Sequence, residues 1–433
     1  MPTASEQPSP DDLHDDQIVP LLRSGAHAAL LSAYFGDREY RELAQLARLA
    51  AIRGNERGSI VYVLPGMMGT KLGAKNRQSL DLVWLHPTAI ADGGLLQLAM
   101  PGEIAVGSAG LMLPGYLKLK LSLEIAGFRC IFHPFDWRED LQILAQAFMH
   151  RVEHSGAERV MVVGHSMGGL VARAALALDT KKRIGKLVQL GAPNNGSFAP
   201  VQALRAVYPT VRKIAALDSK HTAEELARKV FLTLPGLYQL LPGASARADS
   251  QIDCQIDEQA DFFDSAAWPQ DDMTPDPPML ARARKVRGEL PDADERCFLI
   301  AGCNQETITG ATLRDSMFGY TVRRDGDCTV PLALAQWSGA RTWYVEENHG
   351  GLTKHNLALA AIVDILNRGA TARLTDARPA AAASIVRKVN DAQLRAEATR
   401  KVRWDSLSLD SRRRILDPVL TAEFLDGAAT AGG

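Results

Sequence analysis

The residues whose types and spacing could do chemistry are centred on Ser166. Residues 159–178 read RVMVVGHSMGGLVARAALAL. An apolar run at 160–163 meets the turn Gly164-His165-Ser166-Met167-Gly168, and a small-residue stretch follows. That order predicts a strand, a sharp turn and a helix, with the serine at the apex. The flanking glycines allow the close strand–helix approach that such a strained turn needs. The Met167 N–H, at the start of the helix, would then face an oxyanion forming beside Ser166. The plain alternative is a glycine-rich turn carrying an ordinary serine. The apolar strand before it and the helix behind it favour the nucleophile.

A serine hydroxyl is a poor nucleophile at neutral pH and needs an imidazole base, itself oriented by a carboxylate. On a strand–turn–helix scaffold these follow the serine in the order Asp or Glu, then His. The segment RRDGDCTVP offers Asp325 and Asp327. Asp327 is preferred because it lies closer to the Thr329-Val330-Pro331 anchor, and packed neighbours position a side chain better than a loop apex does. The segment EENHGGLTKHN offers His349 and His355. His355 falls in the first turn of a predicted helix, where the dipole disfavours an imidazolium, so His349 is the expected base. His165 reads as a packed or hydrogen-bonded neighbour. The early loop LPGMMGTKL supplies a second oxyanion donor, the Met67 N–H, with Met68 as the alternative. Its methionine side chains suit an adaptable apolar acyl pocket.

The elements that must position these groups are legible as short apolar runs. Strands are expected at 59–64, 128–132, 160–163, 186–190, 297–300 and 341–345, alternating with helices. This predicts an α/β fold, a mostly parallel sheet with helices on both faces. The chain divides into an N-terminal extension (1–55), a first core part (56–197), a helical cap insertion (198–291), a second core part (292–370) and a helical tail (371–433). Residues 1–20 read as disordered. Two amphipathic helices over 21–52 are expected to pack against the main domain. A final helix spans 354–367, with Thr353 as N-cap and Gly369 just past its end. Residues 384–402 read as a basic helix. Cap leucines Leu232, Leu234, Leu237, Leu240 and Leu241 fit either a lipid-like acyl chain or the cap's own core.

Composition sets bounds. The chain has 433 residues, is 46% hydrophobic and 23% charged, and carries a formal net charge of −1. That balance gives no global electrostatic case for nucleic acid or an anionic membrane. Five scattered cysteines without CxxC spacing indicate neither a disulfide framework nor a zinc site, and Cys297 and Cys303 read as buried thiols. The N-terminus lacks the pattern of a secretory signal and no run has the length of a membrane span, so a cytoplasmic location is expected. The chemistry requires no metal or organic cofactor. The expected partner is a small-molecule or lipid ester, with peripheral contact to a lipid surface as a further option.

Taken together, PGMMGTKL, HPFDWRED, GHSMGGL, LGAPNNGS, DGDCTVP and HGGL, in this order across residues 59–368, resemble the lecithin:cholesterol acyltransferase family of the α/β-hydrolases. The resemblance implies an α/β-hydrolase core with a cap, a Ser166–Asp327–His349 triad, and oxyanion donors at Met67 and Met167. Asp136, Trp137 and Arg138 match the family's DWR element, which reads as chiefly structural. Met68 and Trp137 are expected near the substrate. The signal and disulfide pattern of the secreted animal members is missing, and Cys328 stands where many relatives carry a small residue. Lipoprotein and cholesterol chemistry therefore does not carry over. What the resemblance implies is a lipase, esterase or O-acyltransferase working through an acyl-serine. A catalytically idle binding module, a thioesterase and a peptidase are the alternatives.

Overall fold

Six parallel strands form the central sheet: β1 (Ile60–Leu64), β5 (Arg129–Phe132), β6 (Val160–His165), β7 (Ile184–Leu190), β8 (Cys297–Gly302) and β11 (Arg341–Val345). The structure is a computed structural model and describes residues 13–75, 80–243, 261–379, 386–396 and 401. The strand order is β11-β8-β7-β6-β1-β5, so β6, which ends at the serine turn, lies inside the sheet. Register is fixed by pairs such as Val63–Val163 and Val163–Val188. Each expected strand is present.

Continuous apolar runs arise because both sheet faces are covered. Ile60, Tyr62 and Leu64 join one core with Phe148, Leu170 and Val171, from helices Leu141–Glu153 and Met167–Leu178. Val61 and Val63 join the other with Leu117, Leu121 and Ile362, from helices Leu113–Ile125 and Asn356–Arg368. A parallel sheet between two helical layers, with a sharp strand-to-helix turn carrying a serine after an interior strand, is the α/β-hydrolase fold.

Between β7 and β8 the described residues carry the helices Ala199–Leu204, Pro209–Leu217, Ala223–Lys229, Pro235–Tyr238 and Pro277–Gly288. The N-terminal stretch differs from expectation. It forms three helices, Asp15–Ser24, Ala28–Phe35 and Asp37–Arg53, and the first begins inside the segment read as disordered. Its buried Ile18 and Leu22 supply an apolar stripe that the acidic, proline-containing composition hid. Residues 1–12 lie outside the described residues. The unit packs on helix Leu113–Ile125, where Lys118 pairs with Glu42 at 2.6 Å and Lys120 with Asp15 at 3.1 Å.

Two small antiparallel sheets were not anticipated. One joins β2 (Thr70–Lys75), β3 (Leu80–Trp84) and β4 (Val106–Leu111). The other joins β9 (Glu306–Arg314), β10 (Met317–Arg324) and β12 (Arg387–Asn390). β12 replaces the start of the basic helix expected over 384–402, and among the described residues there the helix is Asp391–Ala396. Ladder pairing with β10 prevails because Asp391, fully buried, accepts hydrogen bonds from Phe318 N–H (3.2 Å) and the Tyr320 hydroxyl (2.8 Å). Residues 384–385, 397–400 and 402 lie outside the described residues, as does Cys254. Cys297 and Cys303 are buried thiols, which burial pushes up to about 12 and about 11. No helix among the described residues is long and apolar enough to cross a membrane.

Candidate active site

Ser166 sits between β6 and helix Met167–Leu178 with φ +52° and ψ −125°, a conformation L-residues rarely adopt. The local sequence makes this turn feasible. A Cβ at Gly168 would come within 2.4 Å of the Leu64 and Pro65 carbonyls. Glycine there lets the first turn of the helix press against the end of β1. The Ser166 N–H donates to Leu190 O of β7 at 2.9 Å, pinning the apex to the neighbouring strand. Met167 buries its side chain, while its N–H belongs to the first turn, where helix donors have no partner within the helix.

The loop after β1 lies against this apex. A Cβ at Gly66 would stand 2.9 Å from Ser166 Cβ, so only glycine admits the approach. Gly66 N–H donates to the Tyr116 hydroxyl at 2.8 Å, and Gly69 N–H donates back to Gly66 O at 3.0 Å. Met68 has a left-handed φ of +66°, and its carbonyl accepts from Trp84 Nε1 at 2.9 Å. Met67 and Met68 both line the cavity in front of Ser166.

Asp327 and His349 come together from separate loops. The Asp327 turn follows β10, and His349 follows β11. His349 Nδ1 is 2.7 Å from Asp327 Oδ2. Asp327 Oδ1 accepts from the N–H groups of Thr329 (3.1 Å) and Val330 (2.7 Å), the anchor that favoured it over Asp325. With a carboxylate as acceptor, Nδ1 carries the ring proton and Nε2 keeps its lone pair. His349 and Ser166 share the wall of one cavity. Among the described residues no hydrogen bond joins their side chains. His355 is elsewhere: it is the N-cap of helix Asn356–Arg368, accepting from Ala358 N–H at 3.4 Å. It takes the capping position expected of Thr353, whose hydroxyl instead donates to Gly115 O at 2.6 Å.

Trp137 does not line the cavity and is corrected as a substrate contact. It is 1% exposed, its indole N–H donates to Thr70 O at 3.1 Å, and its ring packs edge-on against Trp84 at 5.3 Å. Trp84 is the indole that reaches the cavity. The rest of the DWR element is structural, as expected: Arg138 pairs with Asp136 at 2.6 Å and donates to Leu98 O at 3.1 Å.

The cavity encloses about 1040 Å³, including its open mouth. Its walls include Met68, Trp84, Met112, Leu237 and Leu240, with Tyr208, Thr210 and Thr329 as a hydroxyl-bearing part. Of the five cap leucines, Leu237 and Leu240 face this space, whereas Leu234 and Leu241 are fully buried core. Sequence motifs gave no sign of Tyr116, Tyr208 or Trp84, whose places are set by tertiary packing. No cluster of three His, Cys, Asp or Glu side chains among the described residues is arranged to hold a metal.

A family model described as the PGAP1-like alpha/beta domain matches residues 141–239, the span from the helix before β6 through the first helices after β7. No curated protein sequence matches. Solved structures that resemble the chain include the Tle4–Tli4 complex, at 13% identity and TM-score 0.45 over 72% of this chain and 99% of that one. The lipase BlEst2 of Bacillus licheniformis in its propeptide form gives 15% identity and TM-score 0.35 over 75% and 52%. Phospholipase PlaB of Legionella pneumophila gives 13% identity and TM-score 0.33 over 72% and 57%.

Proposed function

We propose that this protein is a serine-dependent acyl-ester hydrolase or O-acyltransferase acting on a lipid-like ester. The observation that carries the reading is the Asp327–His349 pair opening onto the same cavity as Ser166. In the proposed reaction His349 Nε2 takes the Ser166 proton as the hydroxyl oxygen attacks the ester carbonyl carbon. Asp327 orients the ring and stabilises the imidazolium. The oxyanion accepts from the Met67 and Met167 N–H groups, in a site whose donors are fixed before reaction. His349 then protonates the departing alkoxide, leaving an acyl-Ser166. Water or an alcohol, deprotonated by His349, attacks the acyl carbon and regenerates the serine.

The apolar walls supplied by Met68, Trp84, Met112, Leu237 and Leu240 support an aliphatic acyl chain. The likeness of the sequence motifs to the lecithin:cholesterol acyltransferase family supports transfer to an alcohol beside hydrolysis. The test is fluorophosphonate labelling together with turnover of chromogenic esters of increasing chain length, with and without an added alcohol. Labelling at Ser166, lost in Ser166→Ala, is the expected result, and new ester formed with the alcohol would identify a transferase. Unchanged ester turnover by Ser166→Ala would overturn the reading.

A further inference from the structure

Behind the nucleophile lies a buried chain of hydrogen bonds. Gly66 N–H donates to the Tyr116 oxygen at 2.8 Å. The Tyr116 oxygen lies 2.9 Å from His165 Nδ1, and His165 Nε2 lies 2.9 Å from the backbone carbonyl of His349. Tyr116 is 5% exposed and His165 6%. Proton placement follows from the ends of the chain. The His349 carbonyl can only accept, so His165 Nε2 carries hydrogen. Burial and the nearby His349 ring push the His165 pKa down to about 3, so the imidazole is neutral and Nδ1 is a lone pair. Tyr116 must therefore donate its O–H to Nδ1 while its oxygen accepts from Gly66. Burial raises the Tyr116 pKa, which keeps that hydroxyl protonated. Every donor and acceptor along the line is matched, with one direction throughout.

The two ends are the parts of the site that must hold still relative to each other. Gly66 opens the loop that offers the Met67 N–H to the oxyanion, and His349 is the base. They are 283 residues apart in sequence, and His165 is the residue immediately before the nucleophile. A second tie, Thr353 Oγ1 to Gly115 O at 2.6 Å, fastens the loop after His349 to the helix that carries Tyr116.

The geometry points to Tyr116 and His165 as positioning residues that couple the oxyanion loop to the catalytic base through the Gly66–Tyr116–His165–His349 hydrogen-bond line. This rests on the proposed serine chemistry and says how its two halves are kept in register. An oxyanion donor displaced by a fraction of an ångström loses much of its effect on the transition state and little on substrate binding.

The experiment compares Tyr116→Phe, His165→Gln, their double variant and His165→Ala with the wild type, with Ser166→Ala alongside. Each is measured for kcat and KM on a soluble short-chain p-nitrophenyl ester, for the rate of fluorophosphonate labelling, and for thermal midpoint. Tyr116→Phe is expected to lower kcat and the labelling rate by about tenfold or more, with KM within about twofold. His165→Gln can keep an N–H at the His349 carbonyl, but its acceptor Oε1 sits on the same distal amide and not at the Nδ1 position that faces Tyr116, so it should match Tyr116→Phe, and His165→Ala should fall further. Because both single changes break one line, the double variant should be no slower than the slower single. Multiplying losses, a wild-type kcat in Tyr116→Phe, or a loss confined to KM would overturn the coupling. Should Tyr116→Phe fail to fold, the Gln-against-Ala comparison at His165 decides by itself: equal rates sink the proposal. A wild-type serine that takes no label overturns both the reaction and the coupling. A labelled wild type with unaffected Tyr116→Phe overturns the coupling alone.

Discussion

His349 is tied to Asp327 twice. Its backbone N–H donates to the Asp327 carbonyl at 2.7 Å, and its Nδ1 lies 2.7 Å from Asp327 Oδ2. One bond places the chain and the other aims the ring, so the proposed base is positioned by the Asp327 turn as much as by the strand before it. That turn is in turn fixed by the N–H groups of Thr329 and Val330 on the other carboxylate oxygen.

Asp327→Asn should therefore keep the backbone tie and lose the tautomer. An amide can still accept from the Thr329 and Val330 N–H groups, but it presents NH₂ to Nδ1 and forces the ring proton onto Nε2. In a serine protease the same exchange costs about 10⁴ in kcat, and a loss of about 10³ or more is expected here. Thermal midpoint should hardly move. Asp325→Asn should leave kcat within about twofold, since the carboxylate at His349 Nδ1 is that of Asp327. Steady-state kinetics on one ester check both.

Exchanging the two histidines separates chemistry from helix capping. His349→Gln should abolish turnover and fluorophosphonate labelling. His355→Gln removes a side-chain N-cap from helix Asn356–Arg368 and should cost about 0.5–2 kcal/mol of stability with activity retained. Urea unfolding and labelling of the two variants provide the check. A dead, well-folded His355→Gln would reverse the assignment.

What could be read from sequence follows from range of interaction. The six core strands are legible because burial on both faces writes continuous apolar runs, as in Val61 and Val63 against Ile60 and Tyr62. The Ser166 turn is legible because Gly168 has no alternative beside the Leu64 carbonyl. Three features were hidden for the opposite reason. β12 pairs because β10 offers an edge and Phe318 N–H and the Tyr320 hydroxyl offer Asp391 buried donors, all of them distant in sequence from residue 387. Trp137 carries the same local cues as a pocket residue, and a contact 67 residues away, Thr70 O, decides that it is core. Tyr116 sits in a helix whose sequence, LPGYLKLKLSLEI, alternates apolar and polar residues instead of repeating at the helical period, and its role depends on a hydroxyl meeting Gly66 and His165 from other elements.

Chain-length preference should follow the two cap leucines that reach the cavity. Leu237→Trp fills acyl space and should move the optimum toward shorter esters, raising KM for long chains more than for acetate or butyrate. Leu241→Val, in the cap core, should cost about 0.5–1.5 kcal/mol of stability without shifting the optimum. A p-nitrophenyl ester series reads both effects. An unchanged profile in Leu237→Trp would place the acyl chain elsewhere.

Gly168→Ala should inactivate by geometry. The added methyl would stand 2.4 Å from two backbone carbonyls that cannot swing aside, so the helix must move away from β1 and carry the Met167 N–H with it. A loss of about 1–3 kcal/mol in stability is expected from the overpacking, with labelling lost well before the fold is. Urea midpoints and labelling at low denaturant distinguish this from simple unfolding.

Acid should destabilise the fold through two buried histidines. Burial, helped by the His349 ring, lowers His165 from 6.5 to about 3; burial, helped by the Arg151 guanidinium, lowers His133 by a similar amount. The unfolded chain takes up these protons near pH 6.5 and the folded chain only near pH 3. Between those values the unfolded state binds more protons, so stability falls as pH falls, by up to about 1.4 kcal/mol per pH unit per histidine. Above pH 6.5 neither group contributes a slope. His133 allows a clean test because its Nε2 is buried without a partner and its ring packs against Phe148 at 5.0 Å. His133→Phe removes one of the two titrations and forgoes only the 3.2 Å bond from Arg151. Its urea midpoint, followed from pH 7 to pH 4, should decline less steeply than that of the wild type. Parallel declines would mean that His133 protonates at similar pH in both states, and that its burial does not hold it neutral.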